Sequence, residues 1–329
     1  MRFPPLSALA AALLCAGCAH AAESVATQAS PATPSAPAPA PAAPVVPPAG
    51  PDARQKPTAA QALAASKPEE WRALDPAETL YLELPAGRVV IELAPRFAPK
   101  HVANIKLLVR EGYFDSTSVL RAQDNYVAQW GDATEKKKIK TAHENLPAEF
   151  TAPLDLTLPF TGLPDGDVYA PTVGHSLGFP VALDRPGQQM WLTHCYAMVG
   201  AGRDSDANSG SGSSLYAVIG HAPRHLDRNV TLVGRVVWGI ELFSTLRRGP
   251  APMGFYEKPE EMTALQSARL AADLPAAERT DLELLRTDSA TFAAVTEARR
   301  NNPDPWTKHQ TGRIELCNAQ LPVRRAARK

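Results

Sequence analysis

The sequence predicts a mainly β fold, either a closed antiparallel barrel or a sandwich. Short runs rich in β-branched and aliphatic residues follow one another after residue 78, with turn-forming stretches between them. Only two helical segments in that region are compelling. Many short strands with few helices are typical of barrels and sandwiches.

The first segment, residues 1–21, has the pattern of an export signal: Arg2, an apolar run from Leu6 to Leu14, then small residues. Two cleavage sites compete. One makes Cys18 the lipidated first residue of a lipoprotein, which we favour. The other, after Ala21, releases a soluble protein. Both predict a mature protein in the periplasm or cell envelope of a bacterium.

Residues 22–75 are interpreted as an Ala/Pro-rich linker with a short lead-in helix. Ten prolines lie between Pro31 and Pro57, and such a composition favours extended conformers over a packed core. The alanine-rich stretch from Thr58 to Lys67 predicts the lead-in helix, which Pro68 should end.

The folded region is predicted to begin with a hairpin, Thr79–Leu84 and Arg88–Leu93, joined by a tight turn. A helix follows at Ala98–Glu111, with apolar residues on one face. A second helix is predicted at Trp238–Arg248. The remaining predicted strands are Val119–Arg121, Tyr126–Gln129, Trp191–Val199, Leu215–Ile219, Thr231–Val237 and Arg313–Cys317.

The stretch SVLRAQDNYVAQWGD, residues 118–132, is the most informative in the chain. Residues two apart on a strand share a face, so Val127 and Gln129 line one surface. If Arg121 reaches the same surface, it combines a fork of donors, an amide and an apolar floor. Such a surface suits a neutral peptide better than a phosphate or a metal.

Charge and spacing argue against other classes of function. The chain carries 34 basic and 34 acidic residues, so it has no global field for nucleic acid. The basic run at 135–140 is interpreted as a solvated loop. His221 and His225 lack a third ligand for zinc, and the glycines at 200 and 202 precede no helix that could bind a dinucleotide phosphate. We therefore predict no cofactor and no metal.

Residues 88–132 resemble the opening of a cyclophilin, the cyclosporin-binding class of peptidyl-prolyl isomerases. Further segments are similar to that family in the same order: HCYAMVGAG, SSLYAV, HLDRNVTLVGRVVWGIELFSTL and RIELCNAQL. The resemblance implies a closed eight-stranded antiparallel barrel capped by two helices. It spans residues 76–323, with insertions at about 133–190 and 249–311 and a basic tail at 324–329. Helical pieces are expected at Glu260–Ala272 and Ser289–Arg300.

The resemblance implies a peptidyl-prolyl cis-trans isomerase, a monomer whose partners are proline-containing unfolded or exported polypeptides. Arg121 would be catalytic, and Gln129 would hold a substrate carbonyl or orient Arg121. The implied substrate-binding residues are Tyr126, Val127, Val199, Leu215, Tyr216, His225 and Leu226.

The chain departs from the family pattern beside these residues. Leu120 replaces a histidine, Gly200 an asparagine and His225 a tryptophan. These departures predict weak cyclosporin binding and reduced activity, so a catalytically weak module that binds proline-containing peptides is the alternative. The sequence also leaves open whether Cys195 and Cys317 form a disulfide or stay free thiols.

Overall fold

The computed structural model of the chain describes residues 56–326. The predicted signal, Cys18, most of the linker and the end of the basic tail lie outside this range. Within it, no helix is long and apolar enough to cross a membrane. The same residues hold no cluster of three or more His, Cys, Asp or Glu side chains that could bind a metal ion.

The described residues form four α-helices and seventeen strands, which are numbered along the chain. The helices are α1 (Ala59–Ala64), α2 (Pro99–Arg110), α3 (Glu241–Ser244) and α4 (Ala290–Asn301). The strands are β1 (Trp71–Ala73), β2 (Thr79–Leu84), β3 (Gly87–Leu93), β4 (Thr117–Ala122), β5 (Val127–Gly131), β6 (Ala152–Pro153), β7 (Thr161–Leu163), β8 (Thr172–Ser176), β9 (Phe179–Asp184), β10 (Gln189–Leu192), β11 (Met198–Ala201), β12 (Leu215–Val218), β13 (Leu232–Trp238), β14 (Thr263–Leu265), β15 (Ser267–Leu270), β16 (Leu282–Leu285) and β17 (Val323–Arg325).

The main sheet is an antiparallel, nearly closed barrel with strand order β14-β4-β5-β12-β11-β13-β3-β2-β15. Its two edge strands, β14 and β15, are separated only by Gln266. β14 pairs with β4 and β15 pairs with β2, so one short segment joins the two ends of the sheet. The prediction of a mainly β fold built on an antiparallel barrel is confirmed.

The predicted hairpin is β2 and β3, paired from Thr79 opposite Glu92 to Leu84 opposite Gly87. Alternation sends Leu80 and Leu82 into the barrel core, while Tyr81 packs on the outer face. Both faces are buried because the outer face is covered by the segment that follows the barrel. The hairpin therefore contributes side chains to the barrel core on one face and to a second hydrophobic cluster on the other.

The two predicted helices differ in outcome. α2 matches its prediction, with Pro99 in the first turn and Gly112, at φ +71°, just beyond its end. The second helix is much shorter than predicted, only α3. The Arg248 guanidinium donates to the carbonyls of Ser244 and Leu246, which a longer helix would have used for its own ladder. α3 still buries Phe243, whose ring stacks on Trp130 at 5.1 Å.

The prediction that Arg313–Cys317 closes the barrel is wrong. Closure comes from β14 and β15, within the stretch Glu260–Ala272 that the sequence predicts as helical. Leu265, Ala268 and Leu270 turn into the barrel core while the residues between them stay more exposed, which suits strands. Residues 271–326 thus follow the barrel instead of interrupting it. The predicted strand Trp191–Val199 is also two strands, β10 and β11, which belong to different sheets.

Two smaller sheets flank the barrel. The insertion at 133–190 forms an antiparallel sheet of order β6-β10-β9-β8-β7. A three-stranded sheet, β1-β16-β17, joins residues before and after the barrel. α4 is capped by the Ser289 side chain, as predicted, and it packs against the predicted lead-in helix α1. Cys195 and Cys317 form a disulfide, which settles the question that the sequence left open.

Candidate active site

A β-bulge aims Arg121 away from the barrel core. Val119 lies opposite Trp130 and Arg121 lies opposite Gln129, so two steps on β4 match one step on β5. Leu120 is the extra residue. In a regular ladder Arg121 would oppose Ala128 and point into the barrel interior. The bulge instead puts Arg121 on the outer face, together with Gln129 and Val127.

The Arg121 guanidinium is held by three acceptors. Its Nε donates to the Met253 carbonyl at 2.6 Å, and its Nη1 donates to the Gln129 Oε1 at 3.2 Å. Its Nη2 donates to the Gln123 Oε1. The Phe255 ring centroid lies 4.9 Å from the guanidinium carbon. Burial lowers the pKa of Arg121 from its usual value, but a guanidinium stays charged in proteins.

Gln129 links Arg121 to the neighbouring strand. Its Oε1 accepts from Arg121, so its Nε2 is free to donate, and it does so to the Ser214 Oγ at 2.9 Å. Ser214 immediately precedes β12, which pairs with β5. The Gln129 amide, itself held by Ser214, thereby fixes the position of the Arg121 Nη1.

Arg121 and Gln129 border an open cleft of about 720 Å³. Part of its lining is apolar, since Val127 and Tyr216 pack together with Tyr126 and Val230 outside the barrel core. Burial raises the pKa of both tyrosines, so their hydroxyls stay protonated at neutral pH. The cleft is lined by Tyr113, Leu120, Arg121, Tyr126, Val127, Gln129, Asp132, Glu135, Lys137, Gly202, Arg203, Asp204, Ser209, Ser213, Ser214, Tyr216, Leu226, Val230, Met253 and Phe255.

Comparison with known protein families matches residues 79–269 to the family described as "Cyclophilin type peptidyl-prolyl cis-trans isomerase/CLD". That range is more than half of the chain. The chain belongs to the cyclophilin family. Members of this family are peptidyl-prolyl cis-trans isomerases, so the family predicted from the residues is confirmed. The match ends within β15, in agreement with closure of the barrel at that strand.

Individual relatives agree with the family. A probable peptidyl-prolyl cis-trans isomerase of Brucella suis biovar 1 is 28% identical over 191 residues, which cover 58% of this chain and 82% of that protein. A peptidyl-prolyl cis-trans isomerase-like 1 of Gibberella zeae is 28% identical over 198 residues, covering 59% and 95%. The crystal structure of a cyclophilin from Hirschia baltica is similar with a TM-score of 0.62 at 27% identity, covering 78% of this chain and 95% of that one.

Most of the residues that were predicted for the site of this cyclophilin meet in the one cleft. The residues that line it are Arg121, Gln129, Tyr126, Val127, Tyr216 and Leu226. Val199 and Leu215 do not line it and are corrected to barrel-core residues, because alternation turns both inward. His225 lies exposed on the 3₁₀ turn Arg224–Leu226 and is not among the residues that line the cleft.

The loop after α3 forms one wall of the cyclophilin cleft, and the sequence did not predict it. Met253 and Phe255 are 51% and 41% exposed there, and both line the cleft. Gly254, at φ +73°, lets the loop approach β4 so closely that a Cβ would lie 2.5 Å from the Gln123 Cα. The sequence feature that could have indicated this wall is the pair of large apolar residues, Met253 and Phe255, in a run rich in glycine and proline.

Proposed function

We propose that this cyclophilin accelerates the cis–trans isomerisation of X–Pro bonds by donating hydrogen bonds from Arg121 to the twisted amide. The observation that carries the proposal is the bulge at Leu120. It brings a charged, fixed guanidinium to an open cleft, across from Gln129 and beside an apolar floor.

The chemistry needs no covalent intermediate. Amide resonance creates a rotational barrier of about 18–20 kcal/mol. In the twisted transition state the prolyl nitrogen is pyramidal and regains its lone pair. A donor aimed at that nitrogen, or at the adjacent carbonyl, stabilises this state more than the planar ground state.

Arg121 retains donors for this task. A guanidinium has five N–H groups. Three of them are used by Met253, Gln129 and Gln123, so two remain for which the described residues supply no acceptor. The three protein contacts fix the plane of the fork. Gln129 therefore acts here as the residue that orients Arg121.

The substrate proline ring would rest on the apolar part of the cleft. Val127 and Tyr216 provide a floor whose side chains are almost fully buried by their neighbours. Leu226 and Tyr126 border it. A shallow apolar floor suits a five-membered ring, and it leaves the flanking peptide backbone in water.

Isomerase activity on a proline-containing peptide, followed by protease coupling or by exchange NMR, tests this function. Arg121→Ala is expected to lower kcat/KM about 100-fold, as for loss of a preorganised transition-state donor. Arg110→Ala is a matched control, since Arg110 lies on α2 and pairs with Asp273 at the surface. Wild-type protein that gives no acceleration, or Arg121→Ala protein as active as the control, would refute the proposal.

One observation favours the second candidate, a catalytically weak module that binds proline-containing peptides. The Phe255 ring stands over the guanidinium, so part of Arg121 is covered by the protein itself. NMR titration with the same peptide separates the two functions. Peptide binding that survives without acceleration of exchange identifies the binding module.

We also propose that the mature protein acts on exported polypeptides in the periplasm or cell envelope. The Cys195–Cys317 disulfide supports this proposal, because such bonds persist in oxidising compartments. Cell fractionation tests it, with Cys18→Ser compared with the wild type. A lipoprotein loses its membrane association in that variant, whereas a soluble periplasmic protein is unaffected. Recovery in the cytoplasm would refute export.

A further inference from the structure

The floor of the cleft is supported by a buried polar chain beneath it. Tyr216 is 6% exposed, and its hydroxyl needs a partner there. That partner is His194, whose Nε2 lies 3.0 Å from the Tyr216 Oη. The two rings are nearly parallel, with centroids 6.4 Å apart. His194 itself is fully buried and does not line the cleft.

Asp227 determines which nitrogen of His194 carries the proton. One oxygen of Asp227 lies 3.0 Å from the His194 Nδ1 and also accepts from the His194 backbone N–H at 2.9 Å. A carboxylate accepts only, so Nδ1 carries the hydrogen and Nε2 is the acceptor. The Tyr216 hydroxyl therefore donates to His194. Burial lowers the pKa of His194, which keeps the ring neutral.

The chain continues into the insertion. The other oxygen of Asp227 accepts from the Arg224 Nε at 2.5 Å. Arg224 also forms a two-pronged pair with Asp167, at 2.8 and 3.1 Å. Arg224 is 3% exposed, so both carboxylates are needed to compensate its buried charge. Asp167 belongs to the insertion at 133–190. The insertion is thus linked by hydrogen bonds to the residues beneath the cleft.

Gly200 makes room for the Tyr216 ring. A Cβ at residue 200 would lie 2.3 Å from the Tyr216 Oη and 2.4 Å from its Cζ. The Tyr216 hydroxyl therefore occupies the space that the Cβ of any other residue at position 200 would need. Gly200 thus admits the ring at this position, and His194 supplies the hydrogen-bond partner of its hydroxyl.

We propose that His194 is a positioning residue that holds Tyr216 as the floor of the prolyl pocket, with Asp227 and Arg224 fixing His194 in turn. This proposal rests on the function proposed for the cleft. Without His194 the Tyr216 hydroxyl would be buried and unpaired, so the ring would move towards the cleft to reach water. The pocket for the proline ring would become shallower. Arg121 would be unaffected, since it has no contact with His194.

A double-mutant cycle with His194→Leu and Tyr216→Phe tests the proposal. Both kcat/KM and the affinity for the proline-containing peptide are measured, the latter by calorimetry. His194→Leu is expected to lower both about ten-fold, the effect of one buried unpaired hydroxyl. Tyr216→Phe lowers them less, and adding His194→Leu to it causes no further loss. Multiplicative losses would indicate a general structural effect and overturn the proposal, as would a His194→Leu protein equal to the wild type.

Three further variants sharpen the result. His194→Gln is expected to retain most of the affinity, because its amide oxygen can accept from the Tyr216 hydroxyl. Gly200→Ala is expected to weaken binding with His194 intact, since its Cβ displaces Tyr216. His175→Gln is the matched control: His175 is another buried histidine, 4% exposed, and it lies outside the cleft. It should leave affinity unchanged.

The outcome is separable from that of the proposed function. An active wild type with an inactive Arg121→Ala and an additive cycle would overturn only the positioning role of His194. If the wild type binds the peptide without catalysing its isomerisation, the affinities measured in the cycle still test the role of His194. A wild type that neither binds nor isomerises proline-containing peptides overturns both proposals.

Discussion

Removing the Cys195–Cys317 disulfide should markedly destabilise the folded region. The bridge joins residues 122 positions apart in the sequence. Cys195 lies just before β11 of the barrel, and Cys317 lies in the 3₁₀ turn Leu316–Asn318 that follows α4. The bond therefore ties the segment after the barrel to the barrel itself. The perturbation is the double variant Cys195→Ala/Cys317→Ala.

The size of the effect follows from the length of the closed loop. A cross-link lowers the entropy of the unfolded chain by an amount that grows with the logarithm of loop length, and a loop of this length is worth about 5 kcal/mol at 25 °C. Cys195 is buried, so the lost sulfur packing adds to the cost. Residual structure in the unfolded chain reduces it. We expect a loss of about 3–5 kcal/mol in the free energy of unfolding.

Urea unfolding measures this loss in three samples: oxidised wild type, wild type with reductant, and the double variant. The last two should both show the loss because both lack the bond, with the double variant slightly less stable because it also lacks the buried sulfur of Cys195. Peptide mapping of the unreduced protein should recover one linked peptide with both cysteines. A loss below about 1 kcal/mol, outside the usual 2–5 kcal/mol range for native disulfides, would refute the loop-closure argument. Unlinked peptides would refute the bond.

Three more outcomes are expected. Burial lowers the pKa of His175 from 6.5 to about 4, so the folded protein binds fewer protons than the unfolded chain. The free energy of unfolding, measured with urea, should therefore fall by about 3 kcal/mol as the pH is lowered from 6.5 towards 4. His175→Gln protein should lack this contribution to the pH dependence. Phe243→Ala removes a fully buried ring from Trp130 and should cost about 3–5 kcal/mol in the same assay; a loss below about 1 kcal/mol would contradict the stack. Phe255→Ala should lower kcat/KM about two- to five-fold by removing a cation–π contact from Arg121, whereas a rise would mean that the ring obstructs the site.

Local patterns predicted those elements whose partners lie near in sequence. The β2–β3 hairpin follows from alternation around a two-residue turn, and α2 follows from one apolar face with Pro99 at its start. The closing strands β14 and β15 could not be recognised in this way. They pair with β4 and β2, more than 130 residues earlier, and an alanine-rich segment fits a helix equally well until those partners are known.

Six of the residues that line the candidate cleft could be named from the sequence, but the wall formed by the loop after α3 and the arrangement of the site could not. Alternation along β12 puts Leu215 and Tyr216 on opposite faces, and only register with the neighbouring strands tells which one meets the cleft. The bulge at Leu120 is a further example. No local pattern indicates that Leu120 is bulged out of the ladder, yet without that bulge Arg121 would oppose Ala128 and be buried in the barrel core.

The two additions to this barrel meet at adjacent residues between β10 and β11. His194 is joined to the hydrogen-bonded chain that begins at Asp167 of the insertion. Its neighbour Cys195 forms the disulfide with the segment after the barrel. The next strand, β11, carries Gly200, whose lack of a Cβ makes room for Tyr216. We therefore expect a displacement of the insertion to reach the floor of the cleft through the polar chain, and a displacement of the later segment to reach His194 through its neighbour Cys195. The support that we propose for the prolyl pocket would give both additions a physical role, although they lie far from Arg121 in the sequence.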